Sequence, residues 1–305
     1  MAKSTSRRRQ RQNSHLELPT LIVLALLVAA VSVGVVRLGG LGPKKFRGTG
    51  QFRLWLFLIA TQTAIWGIGA ATLLSPRVID ILDGLWSEGR RAVIATVLAA
   101  ALPLYGFVLG VALTSPVTDP LPGHRWKLFV LQAIGTAIAL VGVAEFALVK
   151  VGLQSQTTGG TSADVARYLE LRSLLQRVLA VEGAILAAAV LAAGALRNAV
   201  IAFTDHESSY PREYIFIVGA YFTLVLALLY GPVYRKLLDV GNANLDAACP
   251  SVEPASPEWL AANEKRDALR RYLQLEVTAS DSFRAGIAIL APLASALAAL
   301  LLGTG

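Results

Sequence analysis

Residues 162–201 read SADVARYLELRSLLQRVLAVEGAILAAAVLAAGALRNAVI. The two halves of this stretch differ in kind. Val178–Leu196 holds one ionisable residue, Glu182, and is close to the ~20 apolar residues a helix needs to cross ~30 Å of hydrocarbon. Ser162–Arg177 is polar, yet Val165, Tyr168, Leu169, Arg172 and Leu175 recur at helical spacing and lead into Leu179. Thr161 and Asp164 have the spacing of a capping box, in which each side chain satisfies a free amide at the helix start. No proline or glycine interrupts before Gly183. One helix of about 40 residues, Ser162–Ile201, is therefore expected, ~60 Å long at 1.5 Å per residue. That is twice the hydrocarbon thickness, so its first half must project into the cytoplasm or bend along the membrane surface. An apolar stripe on that half wants a partner, either the other cytoplasmic segment or a second copy of the chain.

Six more apolar runs surround this one: Leu18–Val36, Leu54–Leu74, Ala92–Leu113, Leu128–Val149, Ile215–Gly231 and Phe283–Leu302. The expected fold is all-α, a polytopic helical membrane protein with about seven transmembrane helices and two cytoplasmic helical extensions. Residues 1–17 form a basic cytoplasmic tail. Residues 18–231 form a six-helix membrane region containing the long helix 162–201. Residues 232–282 form a cytoplasmic loop with an amphipathic helix 257–277, and 283–305 the final transmembrane helix. The Ala-rich stretch Ala184–Ala195, with Gly67, Gly69 and Ala70, offers small faces for close helix packing, which makes the fifth span central.

Composition agrees. Of 305 residues 55% are hydrophobic and 16% charged, against ~25% charged in soluble domains. The net charge of +8 would suggest nucleic acid on a soluble protein. Here the positive-inside rule accounts for it, and no nucleic acid is expected. With the N-terminus inside, roughly two-thirds of the Lys and Arg fall on the cytoplasmic side. The asymmetry vanishes when the first run is laid flat, which favours seven spans over six. Lys3, Arg7, Arg8, Arg9 and Arg11 precede the first run and suit an uncleaved signal anchor. The expected location is the inner membrane of a bacterium-like cell, N-terminus cytoplasmic and C-terminus external. One outer loop breaks the charge rule with Arg37, Lys44, Lys45, Arg47 and Arg53, and suits contact with lipid headgroups. Trp55, Trp86, Trp126, Tyr210, Tyr214, Tyr230 and Tyr234 fall near span ends, as interfacial anchors do.

The second cytoplasmic segment reads as irregular through Pro250, Pro254 and Pro257. Ser256-Pro257-Glu258 then starts a helix expected to reach Val277, with Leu269, Tyr272, Leu273 and Glu276 on one face. Lys265, Arg266, Arg270 and Arg271 make it basic, a candidate surface for a partner or for anionic lipid.

Ionisable residues inside spans are the usual pointers to function. Glu145 and Glu182 sit one turn inside the cytoplasmic boundary, at matching depth on consecutive helices. The plainer reading has them reach the interface or pair with Lys150, Arg172 or Arg177; the sharper one is an acidic vestibule for an ion or proton. Thr61-Gln62-Thr63 with Ser295 forms a candidate polar site in the membrane core, near the kink prolines Pro103 and Pro292. Catalytic signatures are missing. His15, His124 and His206 are scattered, Asp205-His206-Glu207 reads as a solvated loop, and Asp80 and Asp83 lack the downstream acids of a lipid-phosphate transferase. The lone Cys249 permits no intrachain disulfide. The leading expectation is a non-enzymatic membrane scaffold or effector without cofactor or metal. It would meet lipid and receive a cytoplasmic protein partner or a second copy. The alternative is a small transporter or channel using Glu145 and Glu182.

Overall fold

The computed structural model describes residues 22–23, 26–37, 43–114, 124–204, 211–250, 257–276 and 279–302. Among them every regular element is a helix. Helix α1 is Leu26–Arg37. It is followed by α2 (Lys44–Arg47), α3 (Gly50–Leu73), α4 (Pro76–Thr114), α5 (His124–Ser155), α6 (Ser162–Thr204), α7 (Arg212–Ala248), α8 (Trp259–Tyr272) and α9 (Ala279–Leu301). Among the described residues five stretches are long and apolar enough to cross a membrane: Gly50–Leu73, Phe129–Ser155, Ser162–Thr204, Arg212–Ala248 and Phe283–Leu301. The basic tail 1–17, His15, Tyr210 and the Asp205–Glu207 cluster lie outside the described residues.

Helix α6 is the axis of the bundle and packs against α3, α5, α7 and α9. Small residues make the close crossings, as lipid-embedded helices require. A Cβ added at Gly183 would come within 2.5 Å of the Ala288 carbonyl oxygen on α9. Gly69 of α3 gives way to Val181 and Ile185, Gly194 to Ala299, and Gly219 of α7 to Ala296. At one end Phe46 of α2 plugs the bundle edge-on against Phe52 and Phe203, at 4.9 and 5.5 Å between ring centres. Lys44, Lys45 and Arg47 stay exposed around it. Trp55 is fully buried in this aromatic cluster instead of lying at a lipid boundary. Its indole packs tilted against Phe52, 5.8 Å between ring centres, so packing overrides the interfacial preference. Trp86 remains exposed.

The other end is built differently from expectation. The long helix is present as Ser162–Thr204, and Thr161 and Asp164 exchange the reciprocal capping bonds, each 3.2 Å. The segment expected to be irregular after Gly231 is instead a continuation of α7 to Ala248, carried through Pro232. Val233, Leu237, Val240 and Leu245 recur at helical spacing and are buried, and that burial outweighs the single hydrogen bond a proline removes. Asp80, Asp83 and Trp86 belong to the first half of α4, where Val78, Leu82 and Leu85 turn inward. These halves of α4 and α7 join the end of α5 and the start of α6 in one core around Tyr168, Leu171, Leu175 and Val178.

Helix α8 is shorter than expected, stopping at Tyr272. Gln274 takes φ +53°, and the Gln274 and Leu275 amides donate back to the carbonyls of Arg271 and Arg270, both at 3.0 Å. That is a Schellman ending with glutamine in the position glycine usually fills. It turns Leu273 and Leu275 into the core and leaves Tyr272 and Glu276 outside, so the expected common face does not form.

Candidate functional site

Glu182 projects from α6 toward α5, where Gly142 leaves the room for it. A Cβ at Gly142 would overlap the Glu182 carboxyl. Glu145 follows Gly142 by three residues, on the same face of α5. The structure thus brings the two acids together, and both are buried, at 2% and 3% exposure. Neither reaches the surface of the bundle. Among the described residues Glu182 Oε1 and Glu145 Oε2 have no hydrogen-bond partner. Of the cations expected to pair with them, Lys150 is exposed and Arg172 points elsewhere. Arg177, one turn before Val181 on α6, is the cation whose field reaches Glu145. It also lines a cleft of about 20 Å³ with Val78, Ile81, Glu170, Ser173 and Leu174, room for about one water.

Thr61, Gln62, Thr63 and Ser295 do not form one site. The Thr61 hydroxyl donates to its own helix at Phe57 O, 3.0 Å, and Thr63 does likewise to Ile59 O, 2.9 Å. Such bonds satisfy a helical threonine locally and need no ligand. Gln62 is buried, Ser295 is half-buried on α9, and α6 runs between α3 and α9. Pro292 lies inside α9, packed against Gly219 through its carbonyl.

The four basic residues of α8 have separate fates. Arg266 reaches back to α7, donating to Cys249 O at 2.6 Å and pairing with Asp246. Lys265 and Arg271 are exposed and Arg270 is half-buried. No residue of α8 is fully buried, and Leu260 and Tyr272 stand outward at 68% and 62% exposure. The anchor places the middle of α8 at the far tip of the bundle, while the turn that ends α8 comes back to α6, where Gln274 accepts from Arg172. Asp246 and Cys249 adjoin Ala248, whose backbone amide crowds Gly160, just before α6 begins. From there to Arg177 is roughly 25 Å along α6 at 1.5 Å per residue.

Several buried polar contacts were not expected from the sequence. Arg172, 3% exposed, donates from Nε to Gln274 Oε1 at 3.1 Å and from Nη1 to the Tyr168 hydroxyl at 3.4 Å. Arg197 and Asn198 lie buried inside α6, because its apolar run continues past them to Phe203; Asn198 donates to Ala299 O on α9, 3.0 Å. Their signal was present, a polar pair followed by Ala199, Val200 and Ile201. Asn244 on α7 is fully buried with neither amide atom partnered, and only the unexpected continuation of α7 reveals it.

Among the described residues no group of three or more His, Cys, Asp or Glu could hold a metal ion. The chain matches no protein-family model, no curated protein and no solved structure.

Proposed function

We propose that this chain is a seven-span inner-membrane protein, N-terminus cytoplasmic, that serves as a non-enzymatic scaffold receiving a protein partner on α8. One observation carries the reading. Helix α8 is fixed to α7 through Arg266 yet keeps its own apolar residues outward. The stripe on the first half of α6, once the other candidate surface, is consumed within the chain by α4, α5 and α7. That leaves α8 as the cytoplasmic face with Leu260, Tyr272, Lys265 and Arg271 on offer. Its partner is a protein surface with an apolar notch and acidic rim. At the Arg266 anchor lipid is disfavoured by distance: the apolar run of α6 begins at Val178, so the anchor lies roughly 25 Å beyond the membrane boundary, while the end of α8 returns to Arg172, roughly 9 Å from it.

The experiment places a photo-crosslinking amino acid at position 260 or 272 in cells. The expected result is one protein adduct of the same mass from both positions, lost when Lys265→Glu and Arg271→Glu are added. Adducts to lipid alone, or none from either position, would overturn the reading.

A further inference from the structure

We propose that Glu145 and Glu182 form a single proton-binding site inside the bundle, in which one proton is shared between the two carboxyls. The inference stands apart from the scaffold reading and uses different residues.

Its basis is the set of atoms left unsatisfied. Glu145 Oε2 and Glu182 Oε1 are acceptors with no donor among the described residues, in side chains more than nine-tenths buried. Two charged carboxylates there would repel each other and each lack the water that steadies an ion. Carboxylates are acceptors only, so neither can satisfy the other. One proton changes this. Bound to one carboxyl it becomes an O–H donor, and the neighbouring carboxylate accepts, so the pair carries one negative charge instead of two.

The donor set selects the ligand. A metal ion such as Ca²⁺ takes six or more oxygens. Here two carboxyls are offered, from adjoining turns of α5 and α6, and the Glu182 group is pressed against Gly142. A proton needs one oxygen and no added volume. At this level α3 presents Gly69 and α9 presents Ala288, neither of which carries charge. On α6 the charged neighbour is Arg177, which acts on Glu145 and can hold the remaining negative charge. The titratable groups in the adjoining core are Tyr168, Tyr230 and Tyr234. Exchange with water would run past Arg177, which also lines the cleft holding the half-buried Glu170 and the exposed Ser173.

The test is infrared difference spectroscopy on the full-length protein in nanodiscs, with pH stepped across neutrality in H₂O and D₂O. The expected result is a C=O stretch of a protonated carboxyl near neutral pH that shifts down in D₂O. It disappears in Glu145→Gln and in Glu182→Gln, and survives in the cleft variant Glu170→Gln. No such band in wild type overturns the proposal without any variant needing to fold. So does a band that persists in the double Glu145→Gln, Glu182→Gln protein.

Discussion

Arg172 and Gln274, 102 residues apart, are joined by a hydrogen bond of 3.1 Å from the guanidinium Nε to the glutamine oxygen. The bond ties the first half of α6 to the turn that ends α8, and it explains why glutamine occupies a left-handed position at φ +53°. A residue with a Cβ costs about 1 kcal/mol there relative to glycine. A hydrogen bond to a charged group contributes about 1.5–3 kcal/mol, and a buried guanidinium left short of a partner costs on that scale. The second effect wins. Gln274→Gly is expected to destabilise the protein by about 1 kcal/mol, although helix-capping rules alone would have it stabilise. A thermal unfolding midpoint in detergent decides the sign.

Gly142 and Glu182 are coupled in the opposite sense, through volume. Gly142→Ala is expected to cost about 1–3 kcal/mol, since its methyl group and the Glu182 carboxyl claim the same space. Adding Glu182→Ala removes the clash, so the double variant should be more stable than the two single losses summed. A double-mutant cycle that comes out additive within ~0.5 kcal/mol would deny the contact.

Gly160, at φ +66°, lets the α5–α6 link pass the end of α7. An alanine there meets both a left-handed backbone and the Ala248 amide at 2.6 Å. Gly160→Ala should cost about 2 kcal/mol or more. Faster amide exchange over residues 244–248 would place the damage where the structure puts it.

Helix α8 buries only its end, at Leu269 and the following Leu273, and is otherwise held by polar bonds, so it should open ahead of the core. Arg266→Ala removes the contacts to Cys249 O and Asp246, worth about 1.5–3 kcal/mol locally. Exchange along Trp259–Tyr272 is expected to speed severalfold while α6 near Leu171 and Leu175 stays protected. Equal acceleration in both would mean that α8 and the core open as one unit.

Much of the architecture was legible because the relevant signal is local. The 43-residue helix α6 announces itself by its cap at Thr161, its unbroken periodicity and its small residues, which also mark it as central. The adjacency of Glu145 and Glu182 was readable from their depth on consecutive antiparallel runs. What was missed depends on packing. Pro232 and the charges at Arg235, Lys236 and Asp239 read as a span end, yet Val233, Leu237, Val240 and Leu245 find a core prepared by α6. The Schellman turn at Gln274 carries no glycine to betray it. Trp55 and Arg172 sit where a one-dimensional depth scale puts an interface, and tertiary contacts take both inside.

The most direct measurement is labelling with a membrane-impermeant maleimide in a Cys249→Ser background, Cys249 being buried and the only native cysteine. Tyr272→Cys and Leu297→Cys are both exposed on the molecule, on α8 and on α9 respectively. In inside-out vesicles position 272 should label fully while position 297 stays dark behind lipid, and in right-side-out vesicles neither should label. Labelling of position 297 from water, or of position 272 only from the outer face, would contradict a membrane bundle that carries α8 into the cytoplasm.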